Sequence, residues 1–397
     1  MLREIGIALV EVAQPTPIVE NRLQRIAARY TTESVRVVVL PTTLLIQIGD
    51  NALEIDGSTR SSLQLDAAGR IDDIASLAEA GAVSPTEAVA AVSAARTMAP
   101  RYGKWAMILG YAVTTVGFGI MINPTWASLP GYFFLGLVVG TIVMFATPAL
   151  TPILPTLCAM VVTLLATWFV ADTANDGLLR VISPALVATL PGMALTTGAT
   201  ELASSQIISG SSRLVYGISQ LALLVFGVVM GTMIAGDLGP QDPSAQMGAW
   251  SLYVSIVVVG VGLSIYLSAP PGSLFWLMGA IAAAVLGQKF AEMFLSDPHA
   301  GFVGAILSVL FAMLAARIKT SPPGVVMLLA AFWSLVPGAL SFMSVSQAAT
   351  GGNADVSSMS TSGAAILSIA LGTLVGWSIF SALDSRLPWS ENIVTGA

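Results

Sequence analysis

From Lys104 to the C-terminus the chain is a succession of apolar runs separated by short joints of polar residues, Pro and Gly. Each run is about 20 residues long, the length a helix needs to cross the roughly 30 Å hydrocarbon core of a bilayer. Inside hydrocarbon only helices and closed barrels satisfy their own backbone polar groups. Ten runs are expected to span, at 105–122, 130–147, 153–171, 179–199, 213–235, 249–268, 273–291, 300–317, 323–345 and 363–383. Pro152, Pro155, Pro184 and Pro191 interrupt the third and fourth. An alternative with nine spans folds one of these two into a re-entrant segment.

Charge changes at the same boundary. Of 16 Lys and Arg residues ten fall within 1–104, as do twelve of the 22 Asp and Glu residues. The whole chain is only 10% charged, against about 25% for a soluble domain, and its mean hydropathy is +0.83. The expected architecture is therefore a small soluble α/β domain over 1–103 followed by an all-α polytopic membrane domain. In the N-terminal part, "PTPIVENRLQRIAARY" carries Ile18, Leu23, Ile26, Ala27 and Tyr30 at helical spacing, with Thr16 as cap and Pro17 in the first turn. "SVRVVVLP", "TLLIQIGD" and "SSLQLD" read as strands. "SPTEAVAAVSAART" opens on a capping box of Ser84 and Glu87. The first twenty residues hold acids and a proline where a signal peptide needs an unbroken apolar core, so this part is expected to stay on the side where it is made.

Several function classes lack their residues. One cysteine, Cys158, and one histidine, His299, give no basis for a disulfide framework or a metal centre. No metal and no cofactor are expected. No basic patch points to nucleic acid, and no GxxxxGK[ST] motif supports direct coupling to ATP. Residues 1–104 contain no His, no Cys and no G-x-S-x-G serine, which argues against a membrane-anchored enzyme with a hydrolase-like N-terminal domain. A non-transporting sensor or assembly protein is the other alternative.

Lys and Arg near span ends set the orientation. With the N-terminus inside, Arg101, Lys104, Arg213, Arg317, Lys319 and Arg386 are cytoplasmic, and Arg180 and Lys289 lie outside. Asp172, Asp176, Asp237, Asp242, Asp297 and Asp355 then all fall in outer loops. Both termini are expected in the cytoplasm, which requires an even number of spans.

One stretch breaks the apolar pattern. Residues 189–214 read "TLPGMALTTGATELASSQIISGSSRL", with a Pro-Gly pair, hydroxyl residues, a carboxylate (Glu201) and a guanidinium (Arg213). Pro removes an intrahelical hydrogen bond and Gly weakens the helix. Such a break is tolerated at membrane depth only where the freed groups face protein or a water-filled cavity. A second break, Pro337-Gly338 in "WSLVPGALSFMS", lies 146 residues after Pro191. "LPGYFFLGLVVGTIV" likewise resembles "PPGSLFWLMGAIAAAVL", with Pro130 and Pro271 separated by 141. Each match joins a span to the fifth one after it. An odd number of spans inserts a second copy upside down, so the expectation is a five-plus-five inverted repeat, with halves at 104–240 and 241–397. Broken spans at matching positions of two halves mark a transport site. The candidate substrate-binding residues are Pro191, Gly192, Thr196, Thr197, Thr200, Pro337, Gly338 and Ser341. Glu201 is the candidate proton-coupling group, because an ionised carboxylate in hydrocarbon costs a few kcal/mol and stays protonated or pairs. It also reads as an interfacial glutamate, and Arg213 as either its partner or a cytoplasmic anchor. The threonines equally serve to satisfy carbonyls of a bent helix. Lys289 and Glu292 are spaced to pair, and His299 reads as interfacial.

At these residues the chain resembles the threonine/serine exporter family. "GIALVEVAQPTPIVENRLQRIAARY", "VRVVVLPTTLLIQI" and "SPTEAVAAV" resemble its cytoplasmic part. "PALVATLPGMALTTGATELASSQIISGSSRL" resembles its most recognisable membrane motif, and "PPGSLFW" and "SLVPGALSF" its second half. In that motif an acidic residue, usually Asp, follows the break; here Glu201 stands in its place, and Arg213 matches the Arg that closes it. The resemblance implies a ten-span transporter in the inner (plasma) membrane. It implies export of small hydroxylated amino acids in exchange for protons. The implied partners are the amino-acid substrate, protons and the lipid bilayer, with homo-oligomerisation left open.

Overall fold

The computed structural model describes residues 1–56, 64–170, 177–236, 244–335, 337–349 and 356–384. Arg386 and the loop residues Asp172, Asp176, Asp237, Asp242 and Asp355 lie outside the described residues.

The N-terminal unit consists of helices α1 (Leu2–Glu11) and α2 (Thr16–Tyr30), strands β1 (Val35–Val39), β2 (Thr43–Ile48) and β3 (Asn51–Asp56), and helices α3 (Leu65–Ala80) and α4 (Pro85–Arg96). The strands form an antiparallel sheet in the order β1-β2-β3, with Val37 opposite Ile46 and Ile46 opposite Leu53. Its core is separate from that of the later helices: Ile5, Leu9, Leu23, Ile26, Val37, Leu44, Ile71 and Val92 are all buried in one cluster. The capping box at α4 is present, the Ser84 hydroxyl accepting from the Glu87 N–H and the Glu87 carboxylate from the Ser84 N–H. Buried Arg22 of α2 donates to Asp72 and Glu79 of α3 and joins the two helices.

Two expectations for this unit need correction. Leu65 and Asp66, expected in a strand, open α3, and the third strand lies earlier, at β3. Residues 61–63 of that expected strand are outside the described residues. Thr16 does not cap α2. Pro15 occupies the N-cap and Thr16 is the first helical residue, its hydroxyl engaged elsewhere as shown below.

The remaining helices are α5 (Lys104–Ile122), α6 (Leu129–Phe145), α7 (Leu154–Phe169), α8 (Leu178–Ile182), α9 (Gly192–Ala203), α10 (Ile207–Ala235), α11 (Ser251–Tyr266), α12 (Leu274–Ala291), α13 (Asp297–Ala315), α14 (Gly324–Ser334), α15 (Pro337–Ala349) and α16 (Val356–Asp384). Seven helical stretches among the described residues are long and apolar enough to cross a membrane, and α6 and α11 are shorter apolar helices. The expected fourth span is not continuous. α8 tightens into a 3₁₀ turn at Ser183–Leu186, and α9 starts afresh at Gly192.

Glycines set the closest helix crossings. A methyl group added at Gly117 of α5 would lie 2.8 Å from the Val259 backbone N of α11, and one at Gly110 would lie 2.7 Å from that of Tyr266. Higher numbers on α5 thus meet lower numbers on α11, and the two run antiparallel. On α10, Gly227 packs on Ala159 and Gly231 on Thr163 of α7; on α16, Gly372 packs on Ala305 and Gly376 on Val309 of α13. Both of these pairs are parallel. The second pair of glycines stands 145 positions after the first. Small residues at this spacing let membrane helices approach closely. Helix α6 packs on α5 as α12 packs on α11, and α9 touches α10, α15 and α16 as α15 touches α16, α9 and α10.

Candidate functional site

Glu201 sits in the last turn of α9 and is fully buried. Arg213, in the second turn of α10, donates through Nε to both carboxylate oxygens, at 3.2 and 3.0 Å. The two helices fold back on each other through a tight turn at Ser204 and Ser205, whose N–H groups bond Glu201 O and Leu202 O. The other two donors come from the N-terminal unit. Thr16 donates its backbone N–H to Glu201 Oε1 at 2.9 Å and its hydroxyl to the same oxygen at 3.0 Å. Glu201 therefore lies at the N-terminus of α2, where a helix carries about half a positive charge. Four hydrogen-bond contacts, a guanidinium and a helix end all converge on this carboxylate. Arg213 Nη2 is buried with no partner among the described residues.

The two Pro-Gly breaks meet. A Cβ on Gly338 would fall 2.9 Å from Gly192 N and 3.0 Å from Gly192 Cα. Helix α9 begins at Gly192 and α15 at Pro337, so two helix N-termini converge there. The end of α14 at Ser334 and the 3₁₀ turn at Ser183–Leu186 bring carbonyl ends to the same region. Tyr111 of α5 holds the unwound segment: its hydroxyl donates to Ala185 O at 2.7 Å and accepts the Ala188 N–H at 3.3 Å.

Two cavities flank this contact. The proximal one, about 360 Å³, lies between the N-terminal unit (Gln14, Pro15, Ile18, Arg22) and Met193, Thr197, Leu329, Phe332 and Trp377. The distal one, about 800 Å³, is lined by Arg180, Gln288, Lys289, Glu292, Ser334, Ala339 and Met343. Met193 opens on the first and Ala339 on the second. Each is the chain neighbour of one of the two meeting glycines, so both cavities reach the neighbourhood of the Gly192–Gly338 contact.

The candidate residues divide accordingly. Gly192 and Gly338 are brought together, and Glu201 pairs with Arg213. Glu201 is not beside the break, however, because nine residues of helix, about 13 Å of rise, separate it from Gly192. Thr197 lines the proximal cavity. Thr200 bonds the Thr196 carbonyl at 2.8 Å, and Thr196 Oγ1 is buried with no partner among the described residues. Ser341 is buried. Pro191 caps α9. Lys289 and Glu292 pair at 2.6 Å on the rim of the distal cavity. His299 is exposed and bonds Ser296 at 2.8 Å. Among the described residues no group of His, Cys, Asp and Glu could hold a metal ion.

Sequence reasoning missed Thr16 and Tyr111 as site residues. Their partners lie 185 and 74 positions away, and no local pattern encodes such a pairing. Tyr111→Phe leaves the Ala185 carbonyl buried without its donor, an expected loss of about 1–3 kcal/mol. Thermal unfolding of the purified protein in detergent checks this, and an unchanged melting temperature means that the unwound segment is held by other contacts.

The N-terminal unit also docks elsewhere, with Gly69 of α3 lying against Val326 and Pro323 at the start of α14. The Leu65 N–H bonds Leu267 O at 2.8 Å and the Asp66 N–H bonds Ser268 O at 3.2 Å, setting α3 on the end of α11. Burial pushes the Asp66 carboxyl above its usual range. Ser209 of α10 donates to Val39 O of β1 at 3.4 Å.

A family profile described as "Putative threonine/serine exporter" matches residues 1–235. Pheromone-regulated membrane protein 10 of Debaryomyces hansenii is 27% identical over 144 residues, 34% of this chain and 14% of that relative's length. No solved structure matches.

Proposed function

The chain belongs to the threonine/serine exporter family, as the match over residues 1–235 shows, and from that premise we propose a proton-coupled secondary transporter that moves small hydroxylated amino acids out of the cytoplasm. The observation that carries this reading is the meeting of Gly192 and Gly338, whose chain neighbours Met193 and Ala339 line two different cavities. Converging helix N-termini suit a substrate carboxylate, and converging carbonyl ends suit its ammonium group. Such a site fits a zwitterion. Thr197 on the proximal side and Ser334 on the distal side offer hydroxyls to the substrate side chain. Glu201 serves as the coupling carboxylate with Arg213 as its counter-charge.

Ten crossings in two inverted halves underlie the mechanism. The antiparallel run of α5 against α11, the parallel pairs α7–α10 and α13–α16, and the glycine pairs 145 positions apart support that arrangement. Exchanging α5–α10 with α11–α16 preserves these packings. Rocking one half against the other then opens the two cavities in turn. The N-terminal unit lies in the cytoplasm, beside the proximal cavity.

Uptake of radiolabelled threonine into inside-out vesicles, with and without an imposed proton gradient, tests the reading. Gradient-stimulated uptake is expected. Uptake indifferent to the gradient removes the antiport step, and no uptake in any condition removes the exporter reading.

A further inference from the structure

The described residues contain three non-glycine residues at positive φ: Ala13 (φ 59°), Ser205 (φ 65°) and Ser268 (φ 50°). Such backbone is strained for a residue with a Cβ and persists only where its surroundings hold it. All three lie where the N-terminal unit meets the membrane helices. Ala13 forms the corner between α1 and α2, three residues before Thr16. Ser205 forms the turn after Glu201, and Ser268 accepts the Asp66 N–H. Strain is thus collected at one interface.

The same corner does two things. Gln14 and Pro15 wall the proximal cavity, and the next residue, Thr16, is bonded to Glu201. Resting on the transport reading above, we infer that the N-terminal unit is the gate of the proximal cavity, and that Thr16 is the positioning residue through which the proton on Glu201 sets whether the gate is shut. With Glu201 ionised, the two Thr16 donors and the α2 N-terminus are held and the corner covers the cavity. Protonation removes the charge that both the helix end and Arg213 bind, and the strained corner lifts. The interface with α11 stays in place as the pivot, since it involves no carboxylate acceptor.

The charges around Glu201 are few. Arg213 reaches it from α10. α10 also carries the exposed Tyr216, and α2 carries Glu20 one turn after Thr16, with Arg22 and Arg25 on the cavity wall, where Asp72 and Glu79 of α3 pair with Arg22, and Glu79 also with Arg25. Helices α14 and α15 carry no ionisable residue, and α16 carries only Asp384, which pairs with Arg317. The switch therefore rests on one carboxylate, one guanidinium and one helix end.

Two measurements on the full-length protein, with Cys158 replaced, test the gate. Leu40→Cys, next to the Val39 carbonyl that Ser209 bonds, with Ser209→Cys places thiols on both sides of the lifting edge, and a short, reducible bis-methanethiosulfonate reagent joins them. Joining is expected to lower threonine uptake into inside-out vesicles at least tenfold, and cleavage to restore it. Export by the joined protein at the unjoined rate overturns the proposal, because a permanently seated unit predicts that result. The second measurement needs no transport. A cysteine at Leu328, a buried residue in the wall of the proximal cavity, is labelled by a hydrophilic thiol reagent. Labelling is expected to rise at least tenfold with Glu201→Gln, to rise also with Thr16→Val, and to stay at the starting level with Thr16→Ser. Equal labelling in all four backgrounds refutes the gate. If the vesicles transport no threonine in any form, the exporter reading fails, while the labelling still decides whether the unit lifts.

Discussion

Glu201→Gln is expected to abolish proton-driven export, a loss of at least a hundredfold, with the protein still inserted in the membrane. The amide keeps the shape of the side chain and one acceptor oxygen, so Thr16 retains a weakened contact. What disappears is the charge. Arg213, only 16% exposed, is left as a buried guanidinium without its counter-ion, and removing one partner of a buried pair costs about 3–5 kcal/mol. The single variant should therefore also melt earlier. Glu201→Gln with Arg213→Met separates the two effects, since replacing both charges by uncharged groups of similar size is often nearly neutral. The double variant is expected to regain stability and to remain unable to couple export to the gradient. Export measured in vesicles over a range of pH gives the result: wild-type rates and unchanged pH dependence in Glu201→Gln would remove the carboxylate from the mechanism. Substrate exchange that survives without a gradient would place Glu201 in coupling and leave binding to the break.

What could be read from residues alone, and what could not, follows from the range of each signal. The apolar runs depend on length and composition within one segment, and their positions agree with the helices to within a few residues, apart from the earlier starts of α10 and α16 and the division of the fourth and ninth runs into separate helices. The Pro-Gly breaks are local too, and so is the capping box at Ser84. The fourth span was harder, because its unwound stretch depends on a tyrosine from α5 that accepts and donates where the helix cannot. The strand expected at "SSLQLD" failed for a similar reason. Leu65 and Asp66 alternate like strand residues, but docking against Leu267 and Ser268 and the run of small residues after them favour a helix. Thr16 was misread because hydroxyls before a helical pattern usually cap it. Its hydroxyl instead serves a carboxylate 185 positions away. The candidate site was thus visible as two separate halves and a lone acid. That the acid is tied to the N-terminal unit, and not to the break, is tertiary information.

The break itself yields the second large effect. Gly338→Val is expected to eliminate transport while the protein still reaches the membrane. The added Cβ would stand 2.9 Å from Gly192 N, 3.0 Å from Gly192 Cα and 3.2 Å from Leu190 Cβ. Two of these three neighbours are backbone atoms, which have no rotamer to escape into, so the starts of α9 and α15 must separate. Overpacking of this kind costs about 1–3 kcal/mol, and a branched side chain adds to it. Gly338→Ala should act in the same direction with a smaller loss. A comparison substitution calibrates the result. Gly363 in α16 has nothing within 4 Å of a built Cβ, and Gly363→Ala in an open helical position is expected to be neutral or slightly stabilising, by up to about 1 kcal/mol. Threonine transport and melting temperature measured for all three variants distinguish a lost site from a lost fold. If Gly338→Val transports as well as Gly363→Ala, the two helix starts need not touch for the substrate to pass, and the converging N-termini are a packing solution and not the binding site. If transport is lost while the melting temperature falls by only a few degrees, the close approach of Gly192 and Gly338 is required by the substrate path itself.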